Sequence, residues 1–492
     1  MSRSLLKALA SLFIVSLAAV LAVVMVTKEW GTRDDLPHAP VRGGGVSTPG
    51  WHRSALGMLK PYALTESLER GGVQYRADRS VPLGRLADHV DTAGELMADW
   101  AGFALDEGVP PVRYVYLCRL VETLLAIERH HDFKSIYQSL DSSKTKGRTF
   151  EPRGGYYKPL SLVILLDRPG SDAEWDVPHE IVHSIVEVAG RDVASVLNEG
   201  LAELLAPAAL YAKGARPGDP LPLDLDVAWR SCEELDRISR PGVLSRLFAL
   251  DYWSFRDAKV ENLYYELSTS LVHLLLTHEH PALEGRFPVL ISRLRRYPDT
   301  WDAFRKTYPP ALVERLWVER VKEWRKLPWK KAFGRNWILH GTDLIARQHI
   351  RGGSALLRTE PLGEDGFRLT FSWDELPGEA ATAGFVVSDG SPLSSIVFGF
   401  ENGDLIRAQS LVSEWKLQAT LPKPDGLDRM AEWSLEWNPS DEEIVWRIGD
   451  EIIHRESGID PGQHLGLFFE SRLEQDEAGV RDIRFRNVEL TR

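Results

Sequence analysis

Cysteine is nearly missing from this chain: Cys118 and Cys232 are the only two among 492 residues. Neither belongs to a C-x-x-C pair, which argues against a cysteine-ligated metal site and allows at most one disulfide. Cys118 lies in the apolar run Tyr114–Leu125 and reads as a buried thiol. An excess of positive charge is also missing. Asp and Glu outnumber Lys and Arg by 71 to 59, for a net charge of -12. Phosphate contacts need basic patches, so nucleic acid is not an expected partner. Internal repeats and long low-complexity tracts are absent.

Long uncharged runs are absent with one exception. Ala8 to Thr27 is mostly apolar and lies between Lys7 and Lys28, with Arg3 upstream. Twenty such residues span a hydrocarbon core as a helix. Two readings stand, an uncleaved signal anchor and a cleaved signal peptide. The run lacks a good small-x-small cleavage site, which favours the anchor. Residues 1–30 are read as this segment. Residues 31–50, with Gly43-Gly44-Gly45 and three prolines, are read as a flexible tether. The bulk of the chain is expected outside the cytoplasm, periplasmic or at the cell surface, and secreted if the signal is cleaved.

What is present is ordinary globular composition, 43% hydrophobic and 26% charged, enough for two or three cores. Residues 51–330 read as mostly helical. Apolar spacing predicts helices at Leu83–Leu105, Val112–Arg129, Asn262–Thr277, Phe287–Arg296 and Ala311–Trp324, with another carrying Glu199 to Leu210. Gly154 to Pro159 reads as a turn or loop, and Leu160–Leu166 as a strand. After about Ala332 the texture changes to short, aromatic-rich, alternating segments divided by turn residues. Residues 336–492 are therefore expected to form an independent antiparallel β-sandwich with no catalytic role.

The chemistry is concentrated at His179-Glu180-Ile181-Val182-His183, an H-E-x-x-H pattern. Histidines four apart on a helix share one face and can converge on one zinc ion, while the Glu between acts as general base on the metal's water. Asp176 is a candidate N-cap for this helix, Pro178 falls in its first turn, and Gly190 can end it. Next comes Asn198-Glu199-Gly200-Leu201-Ala202-Glu203, in which Glu199 is at a workable spacing for the third ligand. Glu203, one turn further on, is its rival for that place. His, His and Glu leave a position for water, as in catalytic zinc sites. The other histidines read differently. His130-His131 and His278-Glu279-His280 point apart and read as surface, and His273 as packed within the domain.

The region from about Gly72 to Trp324 resembles zinc metallopeptidases of the gluzincin type. It looks closest to a bacterial family of uncharacterised peptidases with H-E-x-x-H, E-G-L-A-E and Y-x-x-S segments. The matching residues are His179–His183, Glu199–Glu203 and Tyr265-Glu266-Leu267-Ser268. The resemblance implies a zincin-like fold, one Zn2+, and a peptide or protein substrate. It assigns the ligand role to Glu199, and Glu203 then fits the role of orienting a ligand histidine. Tyr265 is a candidate oxyanion donor, with Tyr264 as the alternative. Leu160–Leu166 is either the edge strand that pairs with an extended substrate or a core strand. The gap between the first two motifs is shorter than in the aminopeptidases, so substrate class does not transfer.

The C-terminal part resembles the concanavalin A-like lectin/glucanase sandwich through Glu443–Asp450, Gly466–Phe469 and Ile483–Leu490. This implies a jelly roll and glycan binding, although such modules also serve as spacers. The six tryptophans after Ala332 are expected in its core more than on a sugar platform. Together these readings describe a membrane-tethered zinc peptidase of α+β class with a β-sandwich. The alternative is a degenerate peptidase fold that binds or scaffolds, recognising a cell-surface glycan or protein through the sandwich.

Overall fold

The computed structural model describes residues 66–78, 81–103, 112–118, 155–157, 162–166, 173–189, 193–255, 261–294, 296–297, 299–333, 337–347, 352–377, 381–390, 395–411, 414–422, 431–471 and 482–491. The expected anchor Ala8–Thr27, the tether and His130-His131 lie outside these residues. Among the described residues, no helix is long and apolar enough to cross a membrane.

The N-terminal part contains a five-stranded mixed sheet. Its strands are β1 (Glu66–Arg70), β2 (Val73–Ala77), β3 (Tyr114–Cys118), β4 (Gly155–Tyr157) and β5 (Leu162–Leu166), in the order β1-β2-β3-β5-β4. β2, β3 and β5 are parallel, and the two edge strands pair antiparallel. Val73, Tyr75 and Ala77 alternate into the core along β2. In β3, Val115, Tyr116, Leu117 and Cys118 are all buried, as for a strand covered on both faces.

Two expectations are corrected here, and the choice between edge and core for Leu160–Leu166 is decided for the core. Tyr114–Cys118 is a strand, not part of a helix at Val112–Arg129, because a short apolar run satisfies either period and its β-branched and aromatic residues suit a sheet. β5 is interior, flanked by β3 and β4, so it offers no free edge to a substrate. The edge position belongs to Gly155–Tyr157, expected as a loop.

Helices pack around this sheet. α1 (Leu83–Ala101) turns its apolar stripe inward and stops at Gly102. That residue has φ 71°, a left-handed conformation glycine adopts without a Cβ penalty, and its N–H bonds to Ala98 O. α2 (Ala173–Ala189) carries the H-E-x-x-H residues and α3 (Ser195–Tyr211) the Glu-Gly-Leu-Ala-Glu segment. α2 starts three residues before Asp176. That residue is therefore in the first turn beside Glu174, where acids suit the helix dipole, and is not the N-cap. Further helices follow: α4 (Leu225–Glu233), α5 (Glu261–Thr277), α6 (Phe287–Leu294), α7 (Thr300–Thr307) and α8 (Pro310–Trp324). Short helical turns lie between α4 and α5. Cys118, which is buried, and Cys232, which is half-buried, are not joined in a disulfide.

The C-terminal part is a two-sheet antiparallel β-sandwich. Its strands are β7 (Trp329–Phe333), β8 (Trp337–His340), β9 (Asp343–Arg347), β10 (Gly352–Arg358), β11 (Phe367–Trp373), β12 (Ala381–Ser388) and β13 (Ile396–Glu401), followed by β14 (Asp404–Leu411), β15 (Glu414–Leu421), β16 (Trp433–Asn438), β17 (Glu443–Ile448), β18 (Glu451–Ser457), β19 (His464–Ser471) and β20 (Asp482–Thr491). A seven-stranded sheet runs β15-β14-β13-β12-β19-β10-β7. The eight-stranded sheet runs β18-β17-β16-β11-β20-β9-β8 and ends on a two-residue strand of the helical part, β6 (Leu223–Asp224).

An aromatic cluster of Phe371, Trp373, Phe385, Trp433, Trp446 and Phe485 fills the space between the sheets. Trp337, Trp373, Trp433 and Trp446 are fully buried. Trp437 is buried with its Nε1 donating to Gly363 O at 3.1 Å. These five are core residues, and the side chain of Trp415 lies outside the description. Leu225, at the start of α4, also packs into this core.

Candidate metal centre

α2 and α3 pack together and bring three donor atoms to one point. His179 Nε2 and His183 Nε2 are 3.0 Å apart, and Glu199 Oε2 is 3.7 Å from the first and 3.2 Å from the second. The rings meet nearly perpendicular, at 87°. Among the described residues these three form a group able to hold a metal ion. Ligands placed tetrahedrally at about 2.0–2.1 Å from zinc sit about 3.3 Å from one another. The observed triangle brackets that spacing.

The outer ring nitrogens settle which lone pairs face inward. His183 Nδ1 lies 3.0 Å from Asn198 Oδ1, an acceptor, so Nδ1 carries the hydrogen and Nε2 presents a lone pair. His179 Nδ1 lies 3.4 Å from Glu203 Oε1. Two ring nitrogens and a carboxylate oxygen this close are held together by a cation among them, either a proton or a metal ion. The donor set therefore fits a metal cation.

Protonation tells the same story. Burial works to lower the His183 pKa. The charge and hydrogen bond of Glu199, helped by Glu180 and Asn198, outweigh it and push it up to about 10. A proton thus takes the cation's place in the metal-free protein. Glu203 is pushed up to about 8 by burial, then by the charges of Glu199, Asp224 and Asp176. Asp224 accepts from the N–H of Asp226 at 2.8 Å and is itself pushed up to about 7, by burial and then by the Asp226 charge. Negative charge crowds this centre, a condition a dication would relieve.

Glu180 is half-exposed on α2, and its charge reaches His183. Tyr265 is half-buried on α5, edge-on to Phe255 at 5.4 Å; Tyr264 packs on the same ring at 5.7 Å. The link between α5 and the ligands is Gly200, next to Glu199. A Cβ built on Gly200 would lie 2.5 Å from Ser268 O and 2.7 Å from Val272 Cγ2. The glycine therefore lets α3 and α5 cross in backbone contact, one turn after Tyr265.

The remaining histidines are engaged elsewhere. His273 is buried against Trp324 beside the Thr277 hydroxyl, and burial pushes its pKa down to about 3. His278 Nδ1 accepts from the N–H of His280, and His280 Nδ1 from the N–H of Ala282. Both are half-buried, and Glu279 between them is exposed. Nothing local in the sequence marks Asn198 as a site residue; only the packing of α3 on α2 turns its amide toward His183.

No protein-family profile and no curated protein matches this chain. Solved structures resemble the sandwich part. A carbohydrate-binding module from Bacillus subtilis is 12% identical, covering 34% of this chain and 96% of its own, at a TM-score of 0.25. The carbohydrate recognition domain of Emp46p is 8% identical over 33% and 88%, at 0.24. An alginate lyase from Corynebacterium sp. is 12% identical over 32% and 82%, at 0.23. Likenesses this distant carry no functional argument, and the sandwich rests on its own strand pairing.

Proposed function

We propose that this chain is a zinc-dependent peptidase of the gluzincin type, with a zincin-like N-terminal domain and a concanavalin A-like jelly roll. The observation that supports it is the convergence of His179 Nε2, His183 Nε2 and Glu199 Oε2, each histidine oriented from behind by Asn198 or Glu203. Those three residues hold the ion, and when bound it supplies a Lewis acid that acidifies a water and polarises a carbonyl. Glu180 takes a proton from the attacking water. The water oxygen bonds to the peptide carbonyl carbon, the C–N bond breaks, and Glu180 passes the proton to the departing amine. The Tyr265 hydroxyl donates to the oxyanion of the tetrahedral intermediate. In this reading the N-terminal run tethers the enzyme to a membrane, the bulk lies outside the cytoplasm, and the sandwich supplies a glycan contact.

The test is metal analysis of the purified protein paired with cleavage of a quenched peptide library. Wild type is expected to hold one zinc and to cleave. Glu180→Gln is expected to keep zinc and to lose about 10²–10⁴ in rate. Near wild-type cleavage by that variant would sink the mechanism. Wild-type protein that binds zinc but cleaves nothing points instead to a binding or scaffolding role.

A further inference from the structure

Arg347 is the last residue of β9 and, among the described residues, the largest charged side chain that is fully buried. Burying a guanidinium is costly unless charge and hydrogen bonds are supplied to it. Its partners come from three elements. Nη2 donates to Glu174 Oε2 at 3.0 Å, in the first turn of α2. Nη1 donates to Asp482 Oδ2 at 3.1 Å, at the start of β20, and lies 3.2 Å from the Tyr211 hydroxyl, on the last residue of α3. α2 carries both ligand histidines and α3 carries Glu199. One buried cation of the sandwich therefore clasps both ligand-bearing helices.

A second, independent tie joins the same parts. β6 follows the chain that leaves α3 and pairs with β8, Leu223 opposite Leu339 and Asp224 opposite Ile338. Trp229 Nε1 donates to Trp329 O at 3.2 Å, and Lys331 pairs with Asp226 at 2.8 Å.

We propose that the β-sandwich is a structural part of the metal centre and that Arg347 is a positioning residue for its ligands. The inference rests on the metal-centre reading above. A planar guanidinium reaches two helix ends and a strand at once. A methionine or a lysine cannot fork in this way. Without the clasp, α2 and α3 lose one tie that supplements their direct packing at that end, and the three donors hold their spacing less closely. Outer groups that orient metal ligands affect affinity by about 10–100-fold when removed.

The experiment uses the full chain. Zinc affinity is measured by chelator competition, and the geometry of the centre by the visible d–d spectrum of the cobalt-substituted protein, with circular dichroism confirming the fold. Arg347→Met is expected to weaken zinc at least about tenfold and to shift the cobalt bands. Glu174→Gln breaks the same clasp from the helix side but also the 3.1 Å Arg85–Glu174 pair, so Arg85→Met is measured beside it; a loss with Glu174→Gln that Arg85→Met does not share decides the matter if Arg347→Met does not fold. Arg484→Met is the control. It removes the 2.7 Å Arg484–Asp343 pair between the same two strands, without touching α2 or α3, and should leave affinity within about twofold and the bands in place. A sandwich with no part in the centre leaves Arg347→Met like wild type and Glu174→Gln no different from Arg85→Met, and that result overturns the inference. If wild type itself binds no metal, the metal-centre reading falls, and this inference with it.

Discussion

Replacing Gly200 by alanine sets two known effects against each other, which makes it a sharp test of how α3 and α5 meet. In a helix interior, alanine is favoured over glycine by about 0.8–1.0 kcal/mol. At this position the added methyl would lie 2.5 Å from Ser268 O, 2.7 Å from Ser268 C and 2.7 Å from Val272 Cγ2. Two of these three atoms are helix backbone and cannot rotate aside. Restoring an ordinary contact requires the helices to part by several tenths of an ångström or more. Overpacking of this kind costs about 1–3 kcal/mol, and a rigid backbone neighbour places it toward the upper end. The clash therefore wins, and Gly200→Ala should lose about 1–2 kcal/mol, a fall in Tm of several degrees. The shift falls on the residue beside Glu199, so zinc affinity should drop as well. The zinc-bound protein then loses more Tm than the metal-free one, because weaker binding stabilises less. Thermal unfolding with and without zinc reads both effects. A variant as stable as wild type would mean that propensity wins and that the close crossing of α3 and α5 is wrong.

Three further outcomes are expected. Glu203→Gln keeps a side chain near His179 Nδ1 but removes its charge, so zinc affinity should fall about 10–100-fold while Glu199→Ala falls further; equal effects would mean that the two carboxylates share the ligand role. His183 is raised from 6.5 to about 10 and Glu203 from 4.5 to about 8, so the folded metal-free protein holds more protons than the unfolded chain. Its stability should fall as pH rises from about 6 to 9, and zinc binding at pH 7 should release protons, seen as a dependence of calorimetric heat on buffer ionisation; stability that climbs with pH over that window contradicts the assignment. Tyr265→Phe should lower kcat by about 10²–10³ with little change in KM or zinc content, and if Tyr264→Phe does this instead, the oxyanion donor is the neighbouring residue.

The sequence by itself determined what is local. His179 and His183 lie four apart on one helix, so helical geometry alone puts them on one face, and the structure brings their Nε2 atoms to 3.0 Å. The strands at Phe367–Trp373, Trp433–Asn438 and Glu443–Ile448 were legible because alternation and turn residues are also local signals. Where the local signal is ambiguous, the chain does not specify its element by itself. Tyr114–Cys118 suits a helix or a strand, and only pairing with β2 and β5 selects the strand. Periodicity gives no strand order either, so the interior place of β5 was hidden. Tertiary structure alone decided how far each part reaches into the other. Nothing in Leu223–Asp224 announces that it will extend a sheet formed by residues more than a hundred positions later. Nor does Arg347 declare that it will be buried against Glu174. These arrangements depend on which surfaces meet when helices and sheets pack, and the balance of burial and charge at such contacts has no short-range trace in a chain.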